Sequence, residues 1–134
     1  LYSGIGSFGL ECISRGAKKI TFIEKDKNVA QTIKKNLENL KVYNKADVIV
    51  DDINNYLNMD LKDNFEIFFF DPPFKLDTYI NQLKLIKDKK IFKKNHLVII
   101  HREKKSSDNL DGILKKLLVK QYGRSKIIFG QFFI

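Results

Sequence analysis

Short apolar runs alternating with segments of helical period constrain this chain more than any other feature of it. "KKITFIEKD" reads as a strand ending at Glu24, and Val29, Ile33, Leu37 and Leu40 then recur at helical spacing between Lys27 and Leu40. "ADVIVDD" reads as a buried strand and "INNYL" as a short helical turn, while "FEIFFFD" has too little polar alternation for a strand that faces water on either side. Tyr79, Leu83 and Ile86 mark the next helix, and "HLVIIHRE" the next strand. Upstream, Leu1 and Tyr2 close a strand that runs into the glycine loop "SGIGSFG". Leu10 and Ile13 then belong to a short helix ending near Gly16, a residue suited to a left-handed cap. Downstream, Leu110 to Leu118 has helical spacing, and Val119 to Tyr122 with Lys126 to Phe133 reads as an antiparallel hairpin around Gly123. The lysines between 87 and 94 are expected in a solvated loop. Strands alternating with helices and closed by a hairpin predict an α/β sheet, mostly parallel, with an antiparallel edge.

The 134 residues fit a single domain, since compact domains commonly run to roughly 100 to 200 residues. A hydrophobic content of 43% can supply its core, and no apolar stretch approaches the ~18 residues of an ordinary membrane span. The lone Cys12 cannot form an internal disulfide, and His96 and His101 offer no zinc-ligand spacing with it, so no metal is expected and a reducing cytoplasm fits. A formal charge of +9 suits a partner that carries phosphates, because each phosphate neutralised releases counterions. Arg15, Arg102 and Arg124 are the only arginines among 25 basic residues, so lysines spread along the chain carry most of that charge. The chain begins at Leu1, without a methionine and within a strand end, and is expected to lack an N-terminal segment. No signal-peptide pattern is visible.

In open parallel sheets ligands bind beyond the carboxyl ends of the strands, which directs attention to the residues that end each one. After the first expected strand, Gly4, Gly6 and Gly9 form GxGxxG, which lets backbone approach a ligand closely and aims helix N–H groups at an anion. Alone it suits the pyrophosphate of NAD or the carboxylate of S-adenosylmethionine equally. Glu24 could accept both ribose hydroxyls of either nucleotide, and its plain alternative is a surface acid beside Lys25 and Asp26. Asp51 and Asp52 end the next strand, where one carboxylate could take an adenine amine; Asp52 could equally cap the helix that follows.

"FFFDPPF" breaks this tie. It holds the chain's two prolines, Pro72 and Pro73, between Asp71 and Phe74. Two prolines fix successive φ angles near −65° and offer no N–H, so the backbone leaves the sheet rigid and extended with carbonyls free to face a ligand. One loop then presents a carboxylate, acceptor carbonyls and a flat ring, a set that matches an amino group on a nucleobase. Stacking on such a ring is worth roughly 1 to 3 kcal/mol per base. The plain alternative is a strand followed by a stiff turn.

The run "GLECISRGAKKITFIEKD", the glycine loop before it, "DD" ahead of a short helix and "FFFDPPF" resemble the RsmD family of 16S rRNA guanine-N2 methyltransferases. "QYGRSKIIFGQF" is similar to that family's closing hairpin, so the resemblance covers nearly the whole chain. It implies a class I S-adenosylmethionine-dependent methyltransferase, a Rossmann-like sheet whose last strand is antiparallel, in one domain spanning residues 1–134. Ser3, Gly4, Gly6 and Gly9 would lie against the methionine end of S-adenosylmethionine. Glu24, with Lys25 beside it, would hold the ribose, and Asp52 and Ile53 the adenine. Asp71, Pro72, Pro73 and Phe74 would receive the guanine. The implied partner is 16S rRNA in the small ribosomal subunit or its assembly intermediate, met by a cytoplasmic monomer with no membrane and no metal. His101, Arg102, Lys104 and Lys105, expected to follow a strand, are candidates for RNA phosphate contacts. Two departures from the family are the missing acid before the first glycine motif and the missing N-terminal RNA-contacting segment. The rival expectations are an N6-adenine or other amino-group methyltransferase, an NAD-binding Rossmann domain, and a catalytically inactive RNA-binding module.

Overall fold

The computed structural model describes residues 7–61, 64–72 and 79–133. The expected strand at Leu1 and Tyr2 lies outside the described residues, as do Ser3, Gly4 and Gly6 of the glycine loop and Pro73 and Phe74. The chain divides into two compact units, Leu1–Asn58 and Met59–Ile134.

In the first unit α1 (Ser7–Ser14), β1 (Ile20–Glu24), α2 (Lys27–Asn39), a 3-10 turn (Tyr43–Lys45), β2 (Ala46–Val50) and α3 (Ile53–Leu57) follow in order. β1 and β2 pair in parallel, from Ile20 opposite Ala46 to Glu24 opposite Val50. A parallel pair needs a long crossover, and α2 supplies it. Its start is set by Asp26, whose Oδ1 accepts from the backbone N–H groups of Asn28 (2.8 Å) and Val29 (3.2 Å), an N-cap worth roughly 1 kcal/mol. Ala30, Ile33 and Leu37 form the buried stripe of α2, and Ile33 and Leu37 join Ile13 of α1 and Phe22 of β1 in the unit's core.

Leu40 departs from the expected stripe: it caps the C-terminus of α2 and is 60% exposed. Two hydrogen bonds close the helix there, from Val42 N–H to Leu37 O at 3.0 Å and from Lys41 N–H to Glu38 O at 3.0 Å, which forces Lys41 to a φ of 57°. α1 ends with the same pair of bonds, and here the left-handed position holds the expected glycine, Gly16, at φ 102°.

The second unit contains β3 (Phe65–Phe70), α4 (Tyr79–Lys89), β4 (Phe92–Glu103), β5 (Leu114–Tyr122) and β6 (Ser125–Phe132). The strand order is β3-β4-β6-β5, with β3 and β4 parallel and the β5–β6 hairpin joined antiparallel to β4. By register Phe68, Val98 and Gly130 share a face with Phe70, Ile100 and Ile128. That face is buried, as are Tyr79, Leu83 and Ile86 along α4, and the Tyr79 ring lies 6.3 Å from that of Phe70. His96 is locked by both ring nitrogens: Nε2 accepts the Phe132 N–H at 2.8 Å, so Nδ1 carries the hydrogen and donates to Lys93 O at 2.8 Å.

Three expectations are corrected in this unit. The helix expected over 110–118 does not form; Leu114 onward is strand β5, whose backbone pairs with β6, and the pairing overrides a leucine spacing that imitates a helix. Every residue of β5 after Leu114 is exposed, and the register shifts between Lys116 and Leu118. The lysines between 87 and 94 are no single loop: Lys87 and Lys89 occupy the last turn of α4, where the helix dipole favours cations, and Lys93 and Lys94 begin β4. β3 is buried only near its end, with Phe68 and Phe70 inside and Glu66 and Ile67 exposed.

Candidate active site

Two strand edges carry the predicted chemistry. In the first unit, the parallel register brings the ends of β1 and β2 side by side, and the Asp51 N–H extends the ladder by donating to Glu24 O at 3.1 Å. Glu24 is half-buried, and its Oε2 accepts the Asp26 N–H at 3.2 Å. Asp51 Oδ1 is engaged by the Asp52 N–H (2.7 Å) and Asn55 Nδ2 (3.1 Å). Asp52 N-caps α3 through Oδ1, which accepts from the Asn54 N–H at 2.8 Å. Its Oδ2 makes no hydrogen bond among the described residues. Ile53 is buried as the first residue of α3, whereas Lys25 is exposed. The ends of β1 and β2 therefore present three carboxylates, Glu24, Asp51 and Asp52, each with one oxygen accepting from a backbone N–H and the other making no hydrogen bond among the described residues, beside an apolar residue.

Gly9 serves packing. It is buried in α1, and a Cβ there would overlap the Phe22 ring of β1 and sit 3.2 Å from Ile20 Cγ2. The absent side chain lets α1 lie directly on the strand that ends in Glu24.

In the second unit, Phe70 of β3 lies opposite Ile100 of β4, so the next residues along each strand are Asp71 and His101. Their side chains meet, His101 Nδ1 lying 2.9 Å from Asp71 Oδ1. A carboxylate oxygen accepts, so the imidazole donates from Nδ1. Pro72 follows and is buried. His101 and Arg102 lie within β4, inside the strand read over "HLVIIHRE", and not after it, where the RNA-contact candidates were expected.

Arg102 belongs to the fold and not to a phosphate site. It is 2% exposed, its Nε donates to Asp108 Oδ2 at 2.8 Å, and its guanidinium carbon lies 4.9 Å from the centre of the Tyr79 ring. The Tyr79 hydroxyl donates to the same Asp108 oxygen at 2.7 Å. Lys104 and Lys105 do follow β4 and are exposed. A shallow hollow lined by Lys34, Leu37, Glu38, Tyr43, Ala46 and Val48 lies near the start of β2, the opposite end from the carboxylates.

The family model described as conserved hypothetical protein 95 matches residues 1–131. The chain is 37% identical over 105 residues to ribosomal RNA small subunit methyltransferase D of Haemophilus influenzae, a match covering 77% of this chain and 54% of that protein. This chain belongs to the RsmD family. A relative of the same name from Buchnera aphidicola is 34% identical over 106 residues, covering 79% of this chain and 55% of its own length. The chain thus spans about half the length of the curated RsmD relatives it matches. A crystal structure of a methylase from Haemophilus influenzae is 32% identical with a TM-score of 0.85, covering 97% of this chain and 82% of that one. The RsmD chain accordingly has the α/β, Rossmann-like methyltransferase fold, with parallel pairing at β1–β2 and β3–β4 and an antiparallel hairpin at the end.

Within this RsmD chain the contact that sequence reasoning missed is that of His101 with Asp71. The only sequence signal for it is that "FFFD" and "IIHR" would end side by side once the register of two parallel strands is known.

Proposed function

We propose that this chain is the methyltransferase domain of an S-adenosylmethionine-dependent enzyme that methylates the exocyclic N2 amine of a guanine in 16S rRNA of the small ribosomal subunit. The observation that carries the reading is the Asp71 carboxylate, presented at the end of a parallel strand pair, in hydrogen-bond contact with His101 and followed by buried Pro72. The RsmD membership supports rRNA as substrate, and the unbroken family match across both units supports one methyltransferase domain. The reading implies action in the cytoplasm as a monomer; no helix among the described residues is long and apolar enough to cross a membrane.

The first unit fits the cofactor. Glu24 would accept the ribose hydroxyls and Asp52 Oδ2 the adenine amine, with buried Ile53 against the base; Lys25 and the residues Ser3, Gly4, Gly6 and Gly9 belong to the same proposed set. When bound, S-adenosylmethionine supplies a methyl group on a positively charged sulfur.

The rest falls to the chain's own residues. The guanine amine is a weak nucleophile because its lone pair is conjugated into the ring. Asp71 Oδ2 and a carbonyl of the proline segment would accept its two hydrogens, hold them out of the ring plane and free the lone pair, while Phe74 would stack on the base. The proton leaving the amine goes to Asp71 and thence to water. Positioning of this kind supplies most of the rate in such a transfer, and the base must first leave its stack to reach the carboxylate.

The test is transfer of labelled methyl to small-subunit particles lacking the modification, followed by nucleoside analysis. The expected product is N2-methylguanosine, lost with Asp71→Ala while calorimetry still detects cofactor binding. Labelled methyladenosine would move the substrate, and loss of binding together with transfer would overturn the role given to Asp71.

A further inference from the structure

We infer that His101 is a positioning residue of the methyl-transfer site, fixing which oxygen of Asp71 faces the acceptor amine. This rests on the reading of Asp71 as the group that takes the amine's hydrogen.

The two residues are held unequally. His101 lies on a strand with a partner on each side: Ile100 is opposite Phe70 of β3, and His101 itself is opposite Ile127 of β6. Its ring therefore hangs from a fixed backbone. Asp71 sits beyond the last paired residue of β3 and is followed by a proline without an N–H, so its carboxylate has the freedom of a strand end. A hydrogen bond of 2.9 Å from Nδ1 to Oδ1 removes that freedom. Oδ2 makes no hydrogen bond among the described residues and becomes the oxygen directed outward.

The pair is not needed for stability. Its side chains are 30% and 46% exposed, and an ion pair or hydrogen bond at that exposure contributes little to folding. What it does alter is the number of carboxylate rotamers available, and a reacting group displaced by about 1 Å costs on the order of 100-fold in rate. The loss expected on removing the donor is therefore a fall in kcat of about 10- to 100-fold, with KM and cofactor affinity unchanged.

Two variants and one spectroscopic measurement test this in the full polypeptide. His101→Leu removes the donor; His101→Asn places an amide N–H near the position of Nδ1. The expected result is a fall of about 10- to 100-fold in kcat for His101→Leu, recovery by His101→Asn to within about fivefold of the parent, and KM, cofactor affinity and urea midpoint nearly constant throughout. A His101→Leu variant as fast as the parent, or a His101→Asn variant as slow as His101→Leu, would overturn the inference. If Asp71→Ala keeps full transfer, the reading of Asp71 itself is what fails. Independently of turnover, imidazole 15N spectra should give an Nδ1-protonated ring for His101 that loses this preference in Asp71→Ala. Spectra unchanged by that substitution would also overturn the inference.

Discussion

Replacing Asp108 by alanine should destabilise the second unit far more than its place in an irregular segment suggests. Its Oδ2 accepts from both Arg102 Nε and the Tyr79 hydroxyl, and Arg102 is 2% exposed. Removing one member of a buried ion pair costs roughly 3 to 5 kcal/mol. Against a total stability of about 5 to 15 kcal/mol, that is a large fraction. With a urea m-value of about 2 kcal/mol/M, the midpoint should fall by about 1.5 to 2.5 M. Tyr79→Phe removes one hydrogen bond and should cost about 1 kcal/mol, or about 0.5 M. Combined with Asp108→Ala it should add almost nothing, because the hydroxyl has already lost this acceptor. Urea unfolding followed by circular dichroism measures all three. A midpoint for Asp108→Ala within about 0.5 M of the parent would refute the assignment of Arg102 to a buried network. It would return that arginine to the pool of RNA-contact candidates.

Gly9→Ala should destabilise the first unit by about 1 to 3 kcal/mol through overpacking against Phe22, seen as a lower thermal midpoint. Lys41→Gly should act in the opposite sense, stabilising α2 by about 0.5 to 1 kcal/mol by relieving the left-handed φ of 57°, which urea unfolding can resolve. Cys12 offers a pH test: burial first, and the Glu11 carboxylate second, push its thiol above the ordinary value of 9.0. The folded state then holds this proton more tightly than the unfolded chain, so its contribution is complete below the unfolded pKa and is lost as pH rises through that of the folded state. Alkylation near pH 8.5 should be slower in the folded protein than in urea, and Cys12→Ser should remove that part of the alkaline decline in stability.

The order of elements from α1 to β4 was legible because each is announced locally. Asp26 and Asp52 cap the helices they precede, Gly16 sits where a left-handed cap is needed, and the runs ending at Glu24, Val50 and Phe70 are strands. Glu24 and Asp52 could likewise be singled out from sequence as candidates, and the structure places both at the ends of the paired strands β1 and β2, the kind of position where ligands bind in parallel sheets. What stayed hidden depends on pairing. Leu110, Ile113, Leu114, Leu117 and Leu118 keep helical spacing yet contribute to a turn and a strand, and only the partner β6 decides the matter. Lys41 and Lys90 adopt positive φ without a glycine to signal it. Arg102 and His101 are neighbours on one strand, so they point to opposite faces; one is buried against Asp108 and the other meets Asp71. Nothing in "HRE" tells them apart before the register is known.

The outermost strand β5 has consequences for how copies of this chain behave toward one another. Its backbone has a partner on one side only among the described residues, and Leu117, Leu118, Val119 and Tyr122 lie exposed along it. Such a ribbon is a template for accretion, and Lys115, Lys116 and Lys120 interrupt it with charges of one sign while the shifted register spoils its flatness. Two such ribbons approaching each other bring like charges together before any backbone can join. That repulsion reaches only about 8 Å at physiological ionic strength and shortens as salt is added. Concentrated salt, and not heat alone, is therefore the condition that would make this chain sticky, and the lysines that raise its net charge also act as its solubilising guard.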